Sequence, residues 1–224
     1  MREVDDAVRR SDAENFLQRY GWWVLGGIVL LLAAFGGYIV WQNQAAAARG
    51  REGEAFVKAI DGARADRKAA DAAFGAIAAE GKPGYEEAAL MMQAALKLDA
   101  NDPKAAAALY GRVAADDGAP APLRNLALVR QTAAEFDSLP PQTAIDRLKP
   151  LAQPGNPWFP SAGEMTAVAW LKLGKRDLAG PLFAQIAKEP GVPDAVKSRA
   201  RQMAGVLGID AVEEKDTVEA TTAG

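Results

Sequence analysis

The sequence contains no cysteine and no histidine among its 224 residues. Without cysteine it forms no disulfide and offers neither a thiolate nucleophile nor a sulfur ligand for zinc or an iron–sulfur cluster. Without histidine it lacks the commonest general base near neutral pH and the commonest metal ligand. Catalysis would have to rely on carboxylates, lysine, tyrosine or serine alone. We therefore expect a protein that is not an enzyme, with no catalytic residue, no metal site, no cofactor and no small-molecule substrate.

The chain also has no excess of positive charge. Lysine and arginine number 26 against 29 acidic residues, which gives a net charge of −3 and an isoelectric point near 5.2. Proteins that bind nucleic acid carry clustered positive charge that neutralises phosphates. The charge balance therefore predicts no nucleic-acid partner.

Near the N-terminus, the long segment between Arg19 and Arg49 contains no charged residue. Its apolar centre, residues 22–41, would span roughly 28 Å as a helix, close to the thickness of a bilayer's hydrocarbon core. Aromatic side chains stand at both ends, as they do at membrane interfaces. We predict a single transmembrane helix over residues 20–44, and the residues predicted to anchor it in membrane lipid are Trp22, Trp23, Tyr38 and Trp41.

Other readings of this segment are weaker. The alanines at 45–48 would suit a cleaved signal peptide, but signal h-regions have only about 7–15 apolar residues and follow a basic stretch, whereas residues 1–19 are rich in acids.

Positive charges near the two ends of the segment barely differ in number, so they do not determine its orientation in the membrane. Because long domains cross the membrane largely regardless of charge, we predict that residues 1–19 form a short cytoplasmic tail and that the C-terminal domain lies outside.

After the apolar segment the sequence is alanine-rich, with apolar residues at helical spacing and proline or glycine clusters between stretches of about 12–18 residues. A pattern recurs there three times: a turn residue, alanine five positions later, a large apolar residue nine positions later and another apolar residue at twelve. The copies are Asn101 with Ala106, Tyr110 and Val113; Leu139 with Ala144, Leu148 and Leu151; and Gly174 with Ala179, Phe183 and Ile186. A small residue also stands seven positions before each turn, at Ala94, Thr132 and Ala167.

This pattern resembles the tetratricopeptide repeat, a helical hairpin of about 34 residues, and its best match runs from Trp170 to Ala179. We therefore predict an all-α fold in which the transmembrane helix precedes a tetratricopeptide-like solenoid of helical hairpins, residues 45–208. Residues 209–224, which are rich in acids, are predicted to be a disordered tail. Aligning the copies predicts a mostly apolar peptide groove, unless its residues instead pack on a neighbouring helix. The candidate groove residues are Met91, Leu98, Val129, Phe136, Val168 and Leu171.

The complete layout resembles the YfgM-like ancillary subunits of the SecYEG translocon. The similar stretches are residues 14–17 before the apolar segment, 41–44 after it, and 84–90 and 123–130 in the repeats. The resemblance implies a bacterial inner-membrane protein with a periplasmic domain. The partners it implies are the translocon, a membrane-anchored isomerase-like chaperone and unfolded polypeptide clients. The implied function is a chaperone-like adaptor that assists emerging polypeptides; a structural scaffold of another cell-envelope complex, in cell division or signalling, is the alternative.

Overall fold

The computed structural model describes residues 22, 30–44 and 50–211, and the regular structure in these ranges is helical. The chain divides into two units, Met1–Ala55 and Phe56–Gly224. Several predictions concern residues outside the described ranges. These are the cytoplasmic tail at 1–19, the anchor residue Trp23, and residues 212–224 of the acidic tail.

In the first unit, residues 30–44 are helical and their large apolar side chains are exposed. Together with Trp22, these side chains have exposed fractions between 40% and 84%. The rings of Tyr38 and Trp41 lie 6.2 Å apart, centroid to centroid. Of the predicted transmembrane span at 20–44, residues 20, 21 and 23–29 lie outside the described ranges. None of the helices in the described ranges has both the length and the apolar character that are needed to cross a membrane.

The second unit is built from helical hairpins, which confirms the all-α prediction for the described residues. The helix α1 covers residues 50–62, of which 56–62 belong to this unit. The helices that follow are α2 (Arg67–Ala79), α3 (Tyr85–Asp99), α4 (Pro103–Ala114), α5 (Ala121–Ala134), α6 (Pro141–Leu148), α7 (Phe159–Lys172), α8 (Arg176–Lys188) and α9 (Asp194–Val206). From α2 to α9, each helix packs against the next one along the chain.

Local chemistry fixes where these helices begin and end. Pro103 and Pro141 are the first residues of their helices, where the missing N–H forfeits no helical hydrogen bond. The carboxylate of Asp102 accepts a hydrogen bond from the Ala105 amide at 3.0 Å, which satisfies one of the free donors at the start of α4. Two predicted turn residues, Asn101 and Gly174, have positive φ angles of 59° and 75°, the left-handed conformation that commonly ends a helix.

The three predicted repeats are confirmed by burial. The nine apolar residues of the pattern, from Ala106 to Ile186, are each at most 4% exposed. The three small residues before the turns are fully buried. They lie in the first helix of each hairpin, where a small side chain allows the second helix to approach closely. The pattern therefore marks the contact surfaces of the hairpins α3–α4, α5–α6 and α7–α8.

A further hairpin, α1–α2, precedes these three, and its second helix has the same spacing of apolar residues. Counting from Ala65 as the turn residue gives Ala70, Phe74 and Ile77, and Phe74 is completely buried. The Phe56 ring contacts Phe74 edge-on, with centroids 5.5 Å apart. The sequence places this stretch within the predicted solenoid but does not identify the hairpin, because its turn contains neither glycine nor proline. Phe74 nevertheless stands 36 positions before Tyr110, within the spacing of the other copies.

The C-terminal end of the array extends past its predicted boundary. After α9, Gly208 adopts a φ of 81° and the Ile209 amide donates to the carbonyl of Ala204 at 2.9 Å. Ile209 then packs against Gly180 of α8, where an added Cβ would lie 2.8 Å from Ile209 Cγ1. Ala211 is only 2% exposed. A disordered tail that starts at residue 209 is therefore wrong for residues 209–211, because two apolar side chains draw this stretch onto α8.

Candidate functional site

The predicted groove residues on α3 differ in exposure. Leu98, near the end of the helix, is 36% exposed. Met91, two turns earlier, is partly buried and packs against the cluster around Phe74 and the cluster around Tyr110. Leu98 is therefore open to a partner, whereas Met91 supports the interior and presents only part of its side chain.

Val129 of α5 lies in the core. It is 7% exposed and belongs to a cluster with Leu148 and Ala162 from α6 and α7. Its side chain is enclosed by later elements of the array, so it does not line an open groove. The prediction that Val129 lines the peptide groove is therefore not met. Val129 instead packs on neighbouring helices, which is the alternative that the sequence left open.

The residues predicted on α7 are also largely engaged in packing. Val168 and Leu171 are partly buried and pack against the apolar cluster around Phe183. On the same helix, the carboxylate of Glu164 accepts two hydrogen bonds from Arg199 of α9, at 2.5 and 2.8 Å. The hydrogen bond to Glu164 raises the pKa of the Arg199 guanidinium, and the negative charge of Glu164 adds to this effect. This ion pair ties α9 to α7 and makes the C-terminal part of the candidate surface polar.

Phe136, which follows α5, is partly covered by a lysine. The Lys172 ammonium lies 4.3 Å from the centre of the Phe136 ring and donates a hydrogen bond to the Phe136 carbonyl at 3.1 Å. The ring also packs against the buried cluster of Ala144 and Ile145. Phe136 therefore presents a cation-covered aromatic face to its surroundings, not a bare apolar one.

The largest exposed apolar side chains on the first helices of the hairpins lie on α1 and α3. Val57 and Ile60 of α1 are 56% and 38% exposed, and Leu98 of α3 follows. Val57 and Ile60 are not among the predicted groove residues, because the three aligned repeat copies begin with the hairpin α3–α4 and do not reach α1. Their spacing of three residues, which places both near one face of a helix, was the available signal. Within the first helices, exposed apolar side chains are therefore concentrated in the first two hairpins, although Leu173, which ends α7, is also 39% exposed.

A cleft of about 260 Å³ lies between α2 and α3 and is lined by charges of both signs. The Lys97 ammonium contacts the Asp71 carboxylate at 2.7 Å. The Arg67 guanidinium lies 3.7 Å from the Asp99 carboxylate. These pairs largely neutralise the cleft. In the described ranges no group of acidic side chains is placed to hold a metal ion.

Comparison with known proteins agrees with this architecture. The family described as the tetratricopeptide repeat-like domain matches residues 14–181, which is well over half of the chain. No curated protein and no solved structure matches the chain. A domain of this kind implies an adaptor role in protein–protein interaction. The chain belongs to the tetratricopeptide repeat-like domain family.

Proposed function

We propose that this protein is a non-enzymatic adaptor that is held on a membrane by residues 20–44 and binds proteins through the first helices of its repeats. The observation that carries the proposal is the combination of an apolar helical segment at 30–44, exposed along its length, with an array of helical hairpins in the same chain. A contiguous apolar surface of this extent is unfavourable in water and favourable in lipid.

Three features support the anchor. The segment has no charge between Arg19 and Arg49, so inserting it leaves no ionic side chain in the hydrocarbon core. Tyr38 and Trp41 lie where the apolar run ends and carry the polar groups that suit a headgroup region. The family match begins at residue 14, ahead of the segment, and continues into the repeats.

The finer assignment rests on the resemblance to YfgM-like translocon subunits. It places residues 1–19 in the cytoplasm and the repeats in the periplasm of a bacterial inner membrane. The partners would be the SecYEG translocon, a membrane-anchored isomerase-like chaperone and emerging or unfolded polypeptides. Protease treatment of intact and osmotically opened cells tests the orientation: the repeats should be cleaved only after the outer membrane is opened, and protection until the inner membrane is dissolved would contradict it.

The binding surface of this adaptor is the exposed apolar part of α1 and α3. Val57, Ile60 and Leu98 offer side chains that lose water-exposed area when an apolar segment of a partner docks on them. Met91, two turns before Leu98 on α3, adds the exposed part of a flexible, polarisable side chain that adapts to varied partners. Partners with exposed apolar side chains, as in unfolded polypeptides, fit this chemistry.

Site-specific photocrosslinking in native membranes tests the proposal. A crosslinker at Leu98 should capture translocon, chaperone or client polypeptides. The matched control is a crosslinker at Gln185, which is exposed on α8, the second helix of its hairpin, and should capture far less. Adducts formed only between copies of this chain, or equal capture at both positions, would overturn the proposed function.

A further inference from the structure

The helix array is not packed evenly along its length. The helix α4 contacts α3 and α5 extensively, and α8 does the same with α7 and α9, whereas the contact between α5 and α6 is sparse. A reason lies in the length of α6, which has eight residues and is about 12 Å long, against 14 residues in α5. Among the helices α2 to α9, the contact between α5 and α6, around residues 134–141, is therefore the thinnest between successive helices.

The hydrophobic core divides at the same place. The clusters around Phe74 and Tyr110 take their members from residues 56–134, which we call the N-terminal module. The cluster around Phe183 lies wholly within residues 141–211, the C-terminal module. One cluster joins the modules, where Leu128 and Val129 of α5 meet α6, α7 and the segment between them. Loosening this junction would expose Val129 and its partners but would leave the clusters around Phe74, Tyr110 and Phe183 intact, so the array separates here at lower free energy than at its other junctions.

Two long side chains, Arg147 and Lys172, make the polar contacts across this junction, and Lys172 also lies 3.4 Å from the Asp137 carboxylate. Arg147 in the last turn of α6 donates to the carboxylate of Glu135, the residue that ends α5, and both side chains are partly buried. Lys172 of α7 donates to the Phe136 carbonyl, one residue further along. Both side chains can release and re-form their hydrogen bonds without disturbing either core.

We propose that the α5–α6 junction is a hinge between the two modules, and that the Glu135–Arg147 ion pair is its latch. Rotation at this hinge changes the curvature of the array and hence the separation of the surfaces on α3 and α7. A partner that contacts both modules then favours one of the two arrangements. The hinge requires neither the membrane anchor nor any particular partner.

Distance measurement between spin labels tests this hinge, and the absence of cysteine leaves no competing labelling site. In the full-length chain in detergent, labels at Ala108→Cys on α4 and Gln185→Cys on α8 report across the hinge. Labels at Ala76→Cys and Ala108→Cys report within the N-terminal module, and all three positions are exposed. The pair across the hinge should give two populations of distance, and the pair within the module should give one.

Removing the latch should change the ratio of these populations. Glu135→Gln should raise the open fraction relative to the closed one roughly two- to fivefold, the range expected from losing one partly exposed ion pair. Asp71→Asn is the matched control, because it removes an ion pair with Lys97 inside the N-terminal module and should leave the ratio unchanged. A single narrow distance across the hinge, or an equal response to both variants, would overturn the proposal.

Discussion

The side-chain amide of Gln93 lies against Gly75, where α3 crosses α2. An added Cβ at Gly75 would stand 3.0 Å from Gln93 Nε2, and that nitrogen donates to the carbonyl of Asp71 at 2.9 Å. One hairpin later the contact recurs between Gly111 of α4 and Gln131 of α5, where the corresponding distance would be 2.9 Å. The second helix of a hairpin and the first helix of the next thus use the same pair of residue types at two successive junctions.

Two glycines of the array should respond oppositely to alanine. At Gly111 the new methyl group would meet the mobile end of Gln131, which can move aside, and alanine favours a helix over glycine by up to about 1 kcal/mol. At Gly163 it would lie 3.1 Å from Phe159 Cε2 and 3.2 Å from Ile186 Cδ1, both in buried side chains. Overpacking of that kind costs about 1–3 kcal/mol. Urea unfolding should show that Gly111→Ala retains or raises the free energy of unfolding while Gly163→Ala lowers it; a loss at Gly111 equal to that at Gly163 would contradict this reading.

Alanine substitutions at Val129 and Leu98 should have different effects, the first on the stability of the domain and the second on partner binding. Val129→Ala removes two buried methyl groups and should lower the free energy of unfolding by about 1–3 kcal/mol. Leu98→Ala acts at a partly exposed position and should cost much less stability, but it should weaken the capture of partners. Denaturant titration and crosslinking yield on the two variants check this. Unchanged stability in Val129→Ala would mean that its side chain is not part of the core.

The stability of the domain at alkaline pH should depend on Tyr110. Burial raises the pKa of its phenol above the ordinary value of 10.0, and the charge of Arg130 opposes this only in part. The unfolded chain then ionises at a lower pH than the folded one. The stability that the protonated phenol contributes is therefore complete below pH 10 and is lost as the pH rises through the folded-state pKa. As the pH rises above 10, Tyr110→Phe should therefore lose less free energy of unfolding than the unchanged protein, and equal losses would contradict this assignment.

The sequence was sufficient for the repeats wherever a turn carried its own chemical signature. Asn101 and Gly174 tolerate the left-handed backbone, so the helices on either side of them could be placed and their buried residues named. The hairpin α1–α2 was not predicted, because its turn contains neither glycine nor proline. The start of α2 is instead fixed by the Asp66 side chain, which accepts hydrogen bonds from two amides of that helix. Local pattern alone did not identify that turn.

The candidate surface was harder to predict than the core. Repeat position alone does not say whether a side chain faces solvent or the next hairpin, and Val129 is enclosed by α6 and α7 while Leu98 is not. The pairing of Glu164 with Arg199 joins residues 35 positions apart, and the covering of Phe136 by Lys172 joins residues 36 apart. Such contacts depend on how successive hairpins are set against each other, which the spacing of apolar residues does not determine.

Alkaline extraction of membranes that contain the full-length chain tests the tethered adaptor most directly. High pH strips peripheral proteins from membranes, whereas a helix whose apolar side chains lie in lipid stays in the pellet. The proposed anchor at residues 20–44 predicts that the uncleaved chain remains in the membrane pellet and that a variant lacking these residues is released. Recovery of the intact, uncleaved chain in the supernatant without detergent would contradict the account.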